Sequence, residues 1–393
     1  MKFRIPRNDL TAALALVKTA AATRGSLPML SHVAIRANEK SVEFCCTDLD
    51  ITVRTRIAAD INQSGDTTVR VALLHDLVRS LPDETIMLAA AKSTLRVTGV
   101  AARSGGGSDY ELSTLDIEEF PPTTRVKEGV EFQLPEQDLH AALSATAFAM
   151  STEAARLVLC GTYVSLNGTL QLVATDGRRL ALDLAGETDA KEPAEVILPA
   201  RAVHELLKLL DAGSDRKVTG VIGKNAAQFH LADTTLNCKV IEGTYPNYRQ
   251  VMPSEDSARV KCPIGRADLL AALRRVALVS PEQCELEIAG QMLTVRGLGK
   301  DVGRACETLL VPKCEPVTLK FKPAYLIEGL AAVAAEEVVF VASADEATPA
   351  MFRLKDSTAW TYVVCPMRDP APAPAPAAPV PETETKSETK SKK

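Results

Sequence analysis

FQLPEQDLHAAL, residues 132–143, alternates apolar and polar residues up to a proline and then continues with leucines and alanines at helical spacing. FRIPRNDLTAAL, residues 3–14, repeats it almost position for position. Proline cannot extend a strand ladder, but its fixed φ suits the first turn of a helix, so each string reads as a strand running directly into a helix. The same reading applies to VRVALLHDLVRSL from Val69, VILPARAVHELL from Val196, VKCPIGRADLLAAL from Val260 and LKFKPAYLIEGL from Leu319. Six copies recur at roughly sixty-residue intervals, with Pro6, Pro135, Pro199 and Pro263 expected at four of the junctions.

Odd copies resemble odd copies most. After one helix each carries a Thr-Asp turn, Thr47-Asp48 and Thr175-Asp176, so the full period is about 128 residues, the size of an ordinary domain. Short alternating runs such as HVAIRA (32–37), SVEFCC (41–46), TLQLVAT (169–175) and EEVVFVAS (336–343) indicate antiparallel strands between the helices. The expected class is α+β: three tandem, internally duplicated domains, with helices on one face of antiparallel sheets. Proline-containing polar segments at Pro121-Pro122 and Pro253 suggest domains at 1–122, 128–253 and 254–368. Residues 369–393 change to Pro-Ala alternation and then to a mixed-charge run, a composition expected to stay disordered and extended in solvent.

With 393 residues, 46% hydrophobic and 24% charged, the chain can bury two or three cores. No run approaches eighteen apolar residues and no signal-peptide pattern opens it, so a cytoplasmic protein without a membrane segment is expected. Nine cysteines lie scattered without a CxxC pair and read as reduced thiols. His32, His75, His140, His204 and His230 never fall at i, i+4 spacing, so no metal site or cofactor is expected. Phosphate-loop, nucleophile-elbow and kinase signatures are absent, and the glycines at 297, 299 and 303 and at 105–107 read as hairpin loops. Asp48 and Asp176 occupy equivalent turns one domain apart, too far for a catalytic carboxylate pair. No enzyme is expected.

The net charge of −5 means that any basic surface is local. Arg7 and Lys18 share one side of the first helix, Arg79 ends the second, and Arg201 and Lys208 share the polar face of the fourth. Arg274 and Arg275 sit on the fifth. One such face is ordinarily just solvated, but its recurrence on equivalent helices points to a shared basic surface.

The strings TRGSLPML (23–30), LSTLDIEEFP (112–121), ATDGRRLAL (174–182), EGTYPNYRQVMP (242–253) and YVVCPMR (362–368) together resemble the bacterial DNA polymerase III beta subunit, the sliding clamp family, across residues 1–368. The resemblance implies a homodimeric ring of six domains around double-stranded DNA, bound without sequence preference. It implies a non-catalytic processivity subunit of the polymerase III holoenzyme, with the replicative polymerase alpha subunit, the clamp loader and other proteins carrying a clamp-binding motif as partners. By the same resemblance Arg24, Arg201, Lys208 and Arg275 face DNA. Also implied is a peptide pocket formed by Leu159, Thr175, Gly177, Arg178, Arg179, Leu180, Pro246, Gln250, Val251, Val363, Val364, Cys365, Pro366, Met367 and Arg368. Arg178, Gln250 and Cys365 depart from the common residues there. The matching dimer-interface residues are Tyr110 and Leu112 in the first domain and Leu278 and Val279 in the third. The other reading is a diverged scaffold that binds partner peptides without encircling DNA.

Overall fold

The computed structural model describes residues 1–22, 27–100, 108–123, 126–254, 258–343 and 348–368. The first repeat contains β1 (Lys2–Pro6), α1 (Arg7–Lys18), β2 (His32–Ala37), β3 (Ser41–Thr47), β4 (Ile51–Ala58), β5 (Asp60–Gln63), β6 (Gly65–Arg70), α2 (Val71–Ser80), β7 (Thr85–Ala91), β8 (Thr94–Val100) and β9 (Asp109–Ser113). The second contains β10 (Val130–Pro135), α3 (Glu136–Ala147), β11 (Gly161–Asn167), β12 (Thr169–Thr175), β13 (Arg179–Glu187), β14 (Ala194–Pro199), α4 (Ala200–Leu209), β15 (Lys217–Ile222), β16 (Ala226–Leu231) and β17 (Thr234–Lys239). In the third, β18 (Val260–Gly265), α5 (Arg266–Val279), β19 (Cys284–Gly299), β20 (Gly303–Phe321), α6 (Pro323–Ala331), β21 (Glu337–Ala342), β22 (Ala350–Leu354) and β23 (Trp360–Val364) follow. Each half-repeat is built on a strand, a helix and three strands, with the short β5 added in the first. In the third repeat, pairs of these strands fuse into the long hairpin β19–β20.

The junctions explain themselves locally. Pro6, Pro135 and Pro199 immediately precede their helices with φ near −58° and extended ψ, one position before the first helical residue. Pro263 instead lies inside β18 opposite Val339, and α5 starts three residues later after Gly265. The sixth copy does carry a junction proline: Pro323 occupies the first turn of α6. The first residue of each odd helix reaches the end of the even helix beside it. Arg7 donates to Leu81 O at 2.6 Å, Glu136 accepts from Asp211 N at 3.1 Å, and Arg266 donates to Leu330 O and Ala335 O at 3.1 and 2.6 Å. These groups satisfy polar backbone that a helix end leaves open.

Two sheets cross from one repeat to the next. One eight-stranded sheet runs β10-β15-β16-β17-β4-β3-β2-β6, joined at β17–β4; another runs β14-β11-β12-β13-β23-β22-β21-β18, joined at β13–β23. A five-stranded sheet, β5-β1-β7-β8-β9, ends on β9. Helices pack on the inner faces of the sheets, over a core that includes Phe3, Leu14, Phe44, Phe132, Phe321, Trp360 and Tyr362. Trp360 Nε1 donates to Ala145 O at 3.1 Å, tying the third repeat to the helix of the second. Gly329 allows α6 to close on this core, because a Cβ there would lie 2.4 Å from the Tyr362 ring. Among the described residues no helix is long and apolar enough to cross a membrane.

Asp183 sits in β13 between Leu172 and Trp360, inside the second joint. Burial alone raises its carboxyl to about 7, from an ordinary 3.8. The folded state therefore holds this proton more tightly than the unfolded chain, so stability falls as pH rises across that window and levels off above it. Asp183→Asn is expected to stabilise the protein by about 1–3 kcal/mol at pH 8 and by less at pH 5, measured by urea denaturation at both pH values.

Candidate functional site

The turn before β13 is built from its own side chains. Thr175 Oγ1 donates to Arg179 O at 2.6 Å and accepts from Gly177 N at 3.0 Å, while Asp176 Oδ1 accepts from Arg178 N and Arg179 N at 2.8 and 3.1 Å. Thr47 and Asp48 make the same four bonds before β4, confirming these aspartates as turn formers. Gly177 takes the left-handed position at φ +86°; its counterpart, Leu49, adopts φ +82°, which costs a side-chain-bearing residue about 1–2 kcal/mol.

The two joints differ two positions further on. The first has Ile51 and the second Arg179, which is almost fully buried. Its guanidinium bonds Asp176 Oδ2 at 3.0 Å, Glu328 Oε2 of α6 at 2.6 Å and Phe148 O at 2.8 Å, and lies over the Tyr325 ring at 4.6 Å. Burial opposes its charge, but the Glu328 bond and the surrounding negative groups more than compensate. One side chain thus ties the turn to the helices of two repeats.

On the outer side of this joint lies an apolar cavity of about 190 Å3. Leu159, Thr175, Gly177, Arg178, Arg179, Leu180, Pro246, Val251, Val363 and Cys365 line it, together with Asn247, Tyr248 and Pro349, which the sequence reading did not select. Tyr248 had a signal: it lies three residues after Tyr245, and both pack around Tyr163, with ring centroids 6.0 and 5.0 Å away. Their hydroxyls donate to Gln171 Oε1 and Val173 O, fixing the 241–253 segment as a wall. Pro349 had no local signal, because the fold alone brings the segment before β22 to this edge.

Gln250, Pro366, Met367 and Arg368 lie outside the lining, and Val364 points the other way, into the main core, because strand residues alternate faces. Met367 is partly exposed; its N–H donates to Lys320 O at 2.7 Å. The cavity has room for one or two apolar side chains rather than a drug-sized molecule. Among the described residues no three His, Cys, Asp or Glu side chains converge as metal ligands.

The basic residues occupy the helical layer. Arg201 reaches across the first joint to the Asp48 carboxylate and to Thr19 O at 3.4 Å. Lys208 pairs with Glu205 at 2.9 Å, Lys18 with Asp76 at 3.4 Å, and Arg275 bidentately with Glu307 at 2.8 Å. The Arg275 hydrogen bonds hold the Glu307 carboxyl below its ordinary range. Arg79 and Arg274 are exposed. Arg7 donates to Leu81 O at the end of α2, and Arg24 lies outside the described residues.

Two of the edge strands, β9 and β20, lie beside exposed apolar side chains. β9 carries Tyr110, 43% exposed, and half-buried Leu112. At the other end of the chain, the first half of β20 and its surroundings expose Leu278, Val302 and Leu310 at 82%, 69% and 87%. Val279, at the end of α5, is half-buried.

Three tandem duplicated domains that share sheets across their joints, with a small apolar cavity at one of them, define the sliding-clamp class. The N-terminal, central and C-terminal domains of the DNA polymerase III beta subunit family match residues 1–124, 133–247 and 249–368, and the chain belongs to that family. The beta sliding clamp of Pseudomonas aeruginosa is 29% identical over 377 residues, covering 94% of this chain and all of the relative; that of Chlamydia muridarum is 27% identical over 374 residues, covering 94% and 99%. Crystal structures of sliding clamps bound to griselimycin superpose with TM-scores of 0.87 for P. aeruginosa, at 28% identity, and 0.86 for Bartonella birtlesii, at 30%. They cover 94% of this chain and 99% and 100% of their own. The protein is a non-catalytic processivity clamp.

Arg179→Ala leaves Glu328, Asp176 and the Phe148 carbonyl without their shared donor. It is expected to destabilise the chain by about 3–5 kcal/mol, read as a lower urea midpoint, whereas exposed Arg79→Ala stays within about 0.5 kcal/mol.

Proposed function

We propose that two copies close head to tail into a ring, with duplex DNA passing along the helical layer and partner peptides docking in the cavity beside Leu180. The carrying observation is that both joints inside the chain use one rule. The third strand of an odd half pairs with the third strand of an even half, β4 with β17 and β13 with β23. The strands left over by that rule are β9 and the start of β20. Pairing them between copies repeats the joint, closes these two edges and covers Leu278 and Tyr110. The reading takes 1–122, 128–253 and 254–368 as the domains and 369–393 as a tail, in a cytoplasmic protein.

Register carries over as well. Within the chain Ile51 faces Cys238 and Arg179 faces Val364. Transferred to the open edges, this sets Leu112 opposite Gly303 and Glu111 opposite Arg304, a cross-strand pair of opposite charge. The Arg79, Arg201, Lys208, Arg274 and Arg275 side chains, with Lys18 and Arg24, then supply dispersed phosphate contacts. Few such contacts on an acidic chain suit a ring held by topology, because each adds a salt-dependent, sequence-independent contribution and tight binding would oppose sliding. The polymerase alpha subunit, the clamp loader and other clamp-binding proteins share the cavity as their docking point. Leucine and phenylalanine side chains of their motif fill it, beside a glutamine at the polar rim.

Glu111→Arg or Arg304→Glu is expected to weaken the dimer about tenfold, since each change alters both joints of a ring, and the double exchange restores it. Sedimentation equilibrium over a concentration series measures this; dimers indifferent to all three variants would refute the register. Clamps loaded on nicked circular DNA are expected to survive high salt and to be lost on linearisation, and equal retention on both forms would refute encirclement. Leu180→Ala is expected to cost about 1–3 kcal/mol of polymerase-peptide binding by calorimetry, and Met367→Ala less, because Met367 does not line the cavity.

A further inference from the structure

Phe3 and Phe132 fill the same buried position in the first strands of the first two repeats, opposite Leu88 and Gly220. The third repeat has Cys262 there, fully buried and opposite Phe340. In the first repeat the strand beside Phe3 is β5, which sets Ile61 against it. In the third repeat the corresponding neighbour is the bend in β20, where the β19–β20 register slips and Cys314 falls opposite Gly290. Cys314 packs against the core yet remains partly accessible; its Sγ lies 3.2 Å from Pro312 O and 3.7 Å from Lys261 O, the carbonyl of the residue before Cys262, close enough for the two thiols to perturb each other. A smaller side chain in a phenylalanine position and a half-exposed thiol on the adjoining segment thus bring two sulfurs together from strands 52 residues apart (314 − 262).

We propose that Cys314 and Cys262 form a peroxide-responsive dithiol that closes to an intramolecular disulfide in the third domain. The accessible Cys314, as its thiolate, attacks one oxygen of a hydroperoxide; the O–O bond breaks, and Cys314 becomes a sulfenic acid as hydroxide, or an alkoxide, leaves. The Cys262 sulfur then attacks the Cys314 sulfur, its proton combines with the departing hydroxyl, and one water is released as the S–S bond forms. The pair loses two electrons and the peroxide gains them. Burial pushes the Cys262 thiol up to about 12, so it is a poor first nucleophile and serves as the resolving partner, where contact compensates for its small thiolate fraction. The bond ties β18 to the bend between the open edge strand and α6, and so stiffens the part of the third domain that carries that edge.

Full-length protein is treated with stoichiometric hydrogen peroxide, alkylated and digested without reductant. The expected product is a linked peptide pair containing Cys262 and Cys314, two hydrogens lighter than the sum of its parts and split by dithiothreitol. Cys314→Ser is expected to abolish it, Cys262→Ala to leave a dimedone-reactive sulfenic acid at Cys314, and exposed Cys306→Ser to leave it unchanged. The urea midpoint of the oxidised wild type is expected to exceed that of the reduced form, with no such difference in Cys314→Ser. Oxidation of Cys314 that leaves Cys262 a free thiol in the wild type, or preferential linkage of Cys314 to another cysteine, overturns the proposal.

Discussion

Edge-to-edge strand pairing across the repeat boundaries is the constraint on which the rest of the molecule depends. Hydrogen bonds at β17–β4 and β13–β23 convert half-sheets of neighbouring repeats into continuous eight-stranded sheets. An unpaired strand edge exposes a row of backbone donors and acceptors, and joining the edges satisfies them without a dedicated interface of large side chains. The joints then settle where everything else goes. Helices are forced to the opposite face, and the turn before each joint strand must present its backbone at a fixed place. The small cavity arises where the outer surface of the second joint is left incompletely filled.

Much of this was legible in the chain. A proline at a fixed offset between an alternating run and a leucine-rich run encodes a local transition that needs no tertiary information, and three of the four cited prolines stand at their helices. Pro263 does not mark the start of its helix, because β18 keeps its ladder for two more residues. The fusion of four expected strands into β19 and β20 was not visible either, since the interruptions that separate them elsewhere are here absorbed as bulges.

The site was partly legible for a different reason. Residues in one contiguous string, such as Thr175 to Leu180, share a turn and were read together; those added by distant segments, such as Pro349, meet the cavity only through sheet topology. The family resemblance takes in Val364 with the whole 363–368 run, yet strand alternation turns it into the main core. Helix-face spacing groups Arg7 with Lys18 but cannot show that Arg7 also bonds the open Leu81 carbonyl of the neighbouring helix. Acidic partners such as Asp48, Asp76 and Glu307 come from other elements, so sequence spacing cannot reveal that most of the basic face is internally compensated.

The joints have a consequence for how the chain is connected. Each repeat boundary is held by a sheet, by Arg201 on Asp48 or by Arg179 on Glu328 and Phe148, and not merely by the peptide that leads from one repeat to the next. That peptide sets the local concentration of one repeat near another, while the sheet sets the geometry. The order in which the repeats are strung is therefore separable from the shape they make: a polypeptide begun at the second repeat and continued through the third carries the same β13–β23 joint as the native order.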